Sequence, residues 1–253
     1  ADGVALRILD GRGGRGEEGK VLYRPNVVNA FGPEDGFDLI VDAVRYTQAE
    51  GVLPEIAKNR GNAVVLFFHQ SWRGLDVIDR VLTKEQYVLR MPRAGGALSS
   101  GILEGAFEGT VVLGRSTCGR PTPPVIEGAA DKNLDFVSGL FRPAGFEVET
   151  PENMEHWYWV HFASTAMYTG AIAQAGGYDA FANDKKAIHE AVLAGREAMD
   201  ICAARGVDVK KIPDARVFVS APLVAAPLLR RALVQPIARR MYQTHPLYAS
   251  EFR

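Results

Sequence analysis

The chain has 253 residues, enough for one large domain or two of ordinary size. Its 47% hydrophobic and 23% charged residues suit a packed core and exclude a disordered chain. The formal net charge of −1 gives no reason to expect a nucleic acid or an anionic membrane as partner, and no apolar run reaches the roughly 18 residues that span a bilayer.

Taken in chain order, residues 4–9 (VALRIL) alternate and read as a strand. The glycine- and arginine-rich residues 11–19 read as an exposed hairpin tip, with residues 21–23 as the returning strand. Residues 37–44 (FDLIVDAV) form a short, nearly continuous apolar run, the pattern of a parallel strand buried on both faces. A helix over residues 45–57, a second buried strand over 63–68 (AVVLFF), a helix over 76–82 and a strand over 87–91 follow. Strand, helix, strand, helix, strand at this spacing predicts βαβ units in a parallel sheet. Residues 110–113 read as an edge strand, 117–128 as a proline-rich loop, 131–144 as an amphipathic helix and 146–149 as a last short strand.

The character changes beyond residue 150. A long helix over residues 156–175 is broken by Gly176 and Gly177, and a second over 184–205 is stopped by Gly206. Residues 213–253 read as further helix, interrupted by Pro222, Pro227 and Pro236. The expected fold class is therefore α/β followed by all-α, with domains at residues 1–150 and 151–253. Cys118 and Cys202 stand far apart without a CxxC pattern and read as reduced thiols of a cytoplasmic protein.

Ligands of an open parallel sheet bind at the carboxyl ends of its strands. Two such ends are polar: Arg45-Tyr46-Thr47-Gln48 and His69-Gln70-Ser71-Trp72. Arg45 can grip a phosphate or carboxylate through its fork of donors, and Gln48 and Gln70 can orient a carbonyl or a ribose. His161, four residues after Trp157, can give a proton to a carbonyl as it becomes an alcohol. The spacing of the other histidines fits no metal site, and no G-x-S-x-G offers a hydrolase nucleophile.

Two stretches carry a family resemblance. Residues 37–48 (FDLIVDAVRYTQ), with the apolar strand that ends in His69-Gln70, resemble the second half of the cofactor domain of ketopantoate reductases (2-dehydropantoate 2-reductases). Residues 145–209 resemble that family's helical region, from a tryptophan-bearing helix through Arg196-Glu197-Ala198 to Ala204-Arg205-Gly206-Val207-Asp208. The resemblance implies a Rossmann-like dinucleotide-binding domain and a helical substrate and dimerisation domain of the 6-phosphogluconate dehydrogenase C-terminal-like type. It implies NADP as cofactor, with NAD not excluded, a small 2-oxo acid or related carbonyl compound as substrate, and a possible homodimer.

By the same resemblance, Arg45, Gln48 and Gln70 stand at cofactor contacts, and His69, Trp157 and Trp159 at substrate contacts. Trp159 and Ala163 occupy the places of the family's catalytic lysine and substrate-binding asparagine, and neither can protonate an alkoxide. Ketopantoate itself is therefore not the expected substrate, and His161 is the expected replacement acid. No strand, G-x-G-x-x-G turn and helix opens the chain, so the sheet domain is expected to be incomplete at its N-terminus, with residues 4–9 as the strand that follows the missing unit. A cofactor- or ligand-binding protein without turnover is the alternative from another class.

Overall fold

The computed structural model describes residues 3–12, 17–68, 71–91, 93–115, 131–220 and 222–244. The chain forms two compact units, neither of them one stretch of sequence. The sheet unit combines Asn26–Pro92 with Thr110–Tyr158; the helical unit combines Ala1–Pro25, Arg93–Gly109 and Trp159–Arg253.

The sheet unit holds β3 (Leu39–Asp42), α1 (Ala49–Asn59), β4 (Val64–Phe67), α2 (Asp76–Asp79), β5 (Tyr87–Met91), β8 (Thr110–Gly114), α3 (Lys132–Phe141) and β9 (Glu147–Glu149). Its five strands lie in the order β3-β4-β5-β8-β9. The first three are parallel, as the alternation of apolar runs and helices predicts; β8 is antiparallel to β5, and β9 runs with β8. All four residues of β4 are buried, as a continuous apolar run requires of a central strand. One face of the sheet presents Val64, Leu66, Val88, Val111 and Leu113 to Val137 of α3. Three expectations need correction. β3 is an edge strand with Val41 half exposed, so its apolar run is not buried on both faces. β8, expected at the edge, lies between β5 and β9 with Val111, Val112 and Leu113 fully buried. The helix expected over residues 76–82 is a single turn.

Helix α3 starts where a carboxylate can serve two purposes. Asp131 accepts the backbone N–H of Leu134 at 3.0 Å as an N-cap, and receives Arg115 through Nε and, at 2.7 Å, Nη2. Arg115 also donates to the carbonyls of Lys84 and Tyr87. Burial acts to raise the Asp131 pKa, but Arg115 and the capped N–H outweigh it and hold the group below its ordinary 3.8. A carboxylate lowered by folding adds stability above its unfolded pKa and loses that contribution as pH falls through the folded value. Asp131→Ala is thus expected to cost about 2 kcal/mol at neutral pH, from a lost cap and a lost charged pair. The gap between variant and parent should close as acid protonates Asp131. Urea unfolding at neutral pH and well below 3.8 checks this; a gap that does not shrink in acid would show that the carboxylate charge is not its source.

The helical unit contains a second sheet, in the order β2-β1-β7-β6, from β1 (Val4–Gly11), β2 (Glu17–Tyr23), β6 (Ala94–Ser99) and β7 (Ile102–Glu108). β1 and β2 form the expected hairpin, β1 runs parallel to β7, and β6 and β7 form a second hairpin. This overturns the reading of β1 as a strand of the parallel sheet: its edges are taken by β2 and β7 instead. The helices are α4 (Met154–Gln174), which belongs to this unit from Trp159 on, α5 (Tyr178–Asn183), α6 (Lys185–Ala204), α7 (Arg216–Val219), α8 (Pro222–Leu233) and α9 (Pro236–Thr244). Pro222 and Pro236 sit at helix starts, where a missing N–H costs nothing, but Pro227 lies inside α8 and does not interrupt it.

Ile172, Phe181, Ile188, Val192, Leu229 and Leu233 build the core among these helices, and the Tyr178 hydroxyl donates to the Leu233 carbonyl. Gly195 lets α7 approach α6: a Cβ there would lie 2.3 Å from the ring of buried Phe218. Gly95 does the same for α9, since a Cβ would meet the Met241 carbonyl at 3.0 Å. No helix among the described residues is long and apolar enough to cross a membrane.

Candidate functional site

In the sheet unit, β3, β4 and β5 end side by side, with Asp42 opposite Phe67 and Phe67 opposite Leu89. The chain leaves β3 into a short 3-10 turn, Tyr46–Gln48, that starts α1. The structure brings Arg45 and Gln48 together there. The Gln48 N–H donates to the Arg45 carbonyl at 2.8 Å, and the Gln48 side-chain oxygen accepts the Arg45 N–H at 3.3 Å. Both residues are exposed, and the Arg45 guanidinium makes no ion pair or hydrogen bond among the described residues. The turn thus fixes the backbone and leaves a fork of cationic donors at the strand end. His69 and Gln70, expected at the end of β4, lie outside the described residues. Ser71 is buried, its hydroxyl accepting the Arg73 N–H at 3.1 Å.

Sequence reasoning missed Arg90, near the carboxyl end of β5. Its guanidinium lies over the rings of Phe68, at 4.1 Å to the centroid, and Phe141, at 5.2 Å. Its Nε is buried without a hydrogen-bond partner among the described residues, and burial lowers its pKa to about 10. Nothing in the run YVLRM marks this residue: it reads as one polar position in a buried strand.

The other candidates lie on α4. Met154, Trp157, Tyr158, Trp159 and Val160 are all buried, so the start of this helix is covered on every side. Trp159 belongs to the helical unit, and the Arg205 guanidinium lies 3.9 Å from its ring centroid. Two residues on, His161 keeps 32% of its side chain exposed.

His161 Nδ1 faces Asp214 Oδ2 at 3.8 Å, an ion-pair separation rather than a hydrogen bond. The other Asp214 oxygen accepts Arg93 Nη2 at 2.6 Å, and Arg93 Nη1 donates to Glu108 at 2.8 Å. Burial pushes the Asp214 carboxyl up, but His161 and Arg93 outweigh it and hold the group below the usual carboxylate range. Asp214 and Arg93 went unnoticed in the sequence because they are 121 residues apart, and Asp214 beside Pro213 reads as an ordinary acidic helix start. The arrangement can hold an imidazole with one nitrogen on a carboxylate and the other turned away, the geometry of a general acid or base.

No family model matches the chain, and no curated protein matches it. Solved structures do. A 2-dehydropantoate 2-reductase from Geobacter metallireducens is similar over 95% of this chain and 75% of its own, with a TM-score of 0.62 at 12% identity. D-mandelate dehydrogenase, in a ternary structure with NADH and anilino(oxo)acetate, is similar over 95% and 70%, with a TM-score of 0.61 at 15% identity. A dimeric ketopantoate reductase from Staphylococcus aureus is similar over 93% and 70%, with a TM-score of 0.56 at 9% identity. These likenesses establish the fold: a Rossmann-like α/β sheet followed by a helical region, the two-part architecture of ketopantoate reductases.

Proposed function

We propose that this chain is a divergent member of the ketopantoate reductase family, an NAD(P)H-dependent reductase of a small 2-oxo acid or related carbonyl compound. The observation that carries the reading is the carboxyl edge of β3, where a turn locked by its own hydrogen bonds presents the free fork of Arg45 beside the amide of Gln48. A guanidinium and an amide at such an edge suit the phosphates and ribose of a dinucleotide. When bound, the nicotinamide supplies a hydride to the carbonyl carbon. Arg45, Gln48 and Gln70 hold the cofactor; His69, Trp157 and Trp159 border the substrate; His161 gives the proton. Residues 1–150 carry the cofactor role and residues 151–253 the substrate and dimerisation role, in a cytoplasmic homodimer.

A second reading, ligand binding without turnover, is favoured by one observation. Trp159 stands where the family resemblance puts the catalytic lysine, and it is buried under Arg205. NADPH and NADH titrated by fluorescence, followed by turnover on ketopantoate, phenylglyoxylate and other 2-oxo acids, separate the readings. Binding with turnover on a 2-oxo acid other than ketopantoate is the expected result. Binding without turnover on any of them supports the second reading, and absence of nicotinamide binding overturns the reductase reading.

A further inference from the structure

The chain Glu108–Arg93–Asp214–His161 holds more charge than a lone surface ion pair, and its order matters. Arg93 is shared between two carboxylates, at 2.8 Å to Glu108 and 2.6 Å to Asp214. With His161 neutral, the four groups sum to one negative charge; with His161 protonated, they sum to zero. His161 faces Asp214, the carboxylate that shares Arg93 with Glu108. Arg93 occupies one Asp214 oxygen, so the other is the one left for the imidazole. Each member is anchored separately: Arg93 just before β6, Glu108 at the end of β7, Asp214 in the turn before α7, and His161 on α4. The Glu108 N–H also donates to the Arg93 carbonyl at 2.8 Å, so the backbone fixes the first pair. The side chains of Arg93 and Asp214 are only 20% and 26% exposed, which limits screening of the pair by solvent.

We infer that Asp214, itself oriented by the Glu108-braced Arg93, is a positioning residue that fixes the His161 ring with Nδ1 on the carboxylate and Nε2 free as the proton donor. In the neutral ring the field of the carboxylate favours the proton on Nδ1, the nitrogen that faces it across 3.8 Å, over Nε2. In the transfer step, the Nε2–H bond breaks as an O–H bond forms on the substrate alkoxide, and the imidazolium becomes the neutral Nδ1–H imidazole. The transfer step rests on the reductase reading; the ring orientation does not.

The test therefore has two parts. Nitrogen-15 NMR of the imidazoles in the ligand-free protein reads the tautomer directly, with His161 assigned by the signal that His161→Gln removes. The neutral ring is expected as Nδ1–H in the wild type, with that preference lost in Asp214→Asn. An Nε2–H ring in the wild type, or an unchanged ring in Asp214→Asn, overturns the inference whatever the protein reduces. In the second part, turnover of the 2-oxo acid found active should fall about 10–100-fold in kcat for Asp214→Asn, with KM held. Loss of KM with kcat intact would overturn the positioning role. If the wild type turns over no carbonyl while the tautomer result holds, it is the reductase reading that fails.

Discussion

On the proposed reductase reading, replacing His161 with alanine is expected to lower kcat for carbonyl reduction by about 10²–10⁴-fold and to leave cofactor affinity unchanged, because general acid catalysis is worth that range. A hydride added to a carbonyl carbon leaves an oxyanion, and some group must protonate it. The two positions where the family resemblance puts lysine and asparagine hold Trp159 and Ala163, and neither side chain has a proton to give at neutral pH. His161 has a transferable proton, an exposed face and a carboxylate behind it. The variant should fold: the side chain is 32% exposed, and Asp214 keeps its bond to Arg93 when the imidazole is gone. Added imidazole should restore part of the lost rate, which a structural defect would not allow. An alanine variant with wild-type kcat would remove His161 from the mechanism.

The parts of this molecule that were legible in the sequence are those whose cause is local. The run AVVLFF gives a strand with every residue buried, and the hairpin of β1 and β2 follows from alternation around a glycine-rich tip. Strand order has no such local cause. Val41 lies in a nearly continuous apolar run, yet it is half exposed because β3 ends the sheet. The hairpin of β6 and β7 has no local signature of its own, because AGGALSSGILEGAFEG lacks alternation. Its glycines answer a tertiary demand instead, the close approach of α9 to Gly95 and of the two strands at Gly96 and Gly105. The candidate site divides in the same way. His161 and Arg45 can be picked out from residue type and position, whereas Asp214 and Arg93 acquire a role only when the fold brings distant segments together.

Phe67→Ala is expected to destabilise the protein by about 3–5 kcal/mol, the usual range for removing a fully buried aromatic ring. Phe67 is 0% exposed and closes β4, paired with Asp42 on one side and Leu89 on the other. Its ring meets that of Tyr87 edge to face, at 5.6 Å between centroids and 70° between planes. Tyr87 cannot swing into the space left by truncation, because its hydroxyl donates to Asp79 at 2.8 Å and would have to leave that carboxylate. The cavity should therefore persist, which places the cost toward the upper end of the range. Phe67→Leu keeps most of the volume and should cost about 1.5 kcal/mol or less. Urea unfolding measures both: the midpoint should drop for alanine with the slope unchanged, and leucine should recover most of the difference. An alanine variant within about 1 kcal/mol of wild type would mean that the end of β4 relaxes freely. A strand end that relaxes freely could not hold fixed whatever is bound at the carboxyl edge it borders.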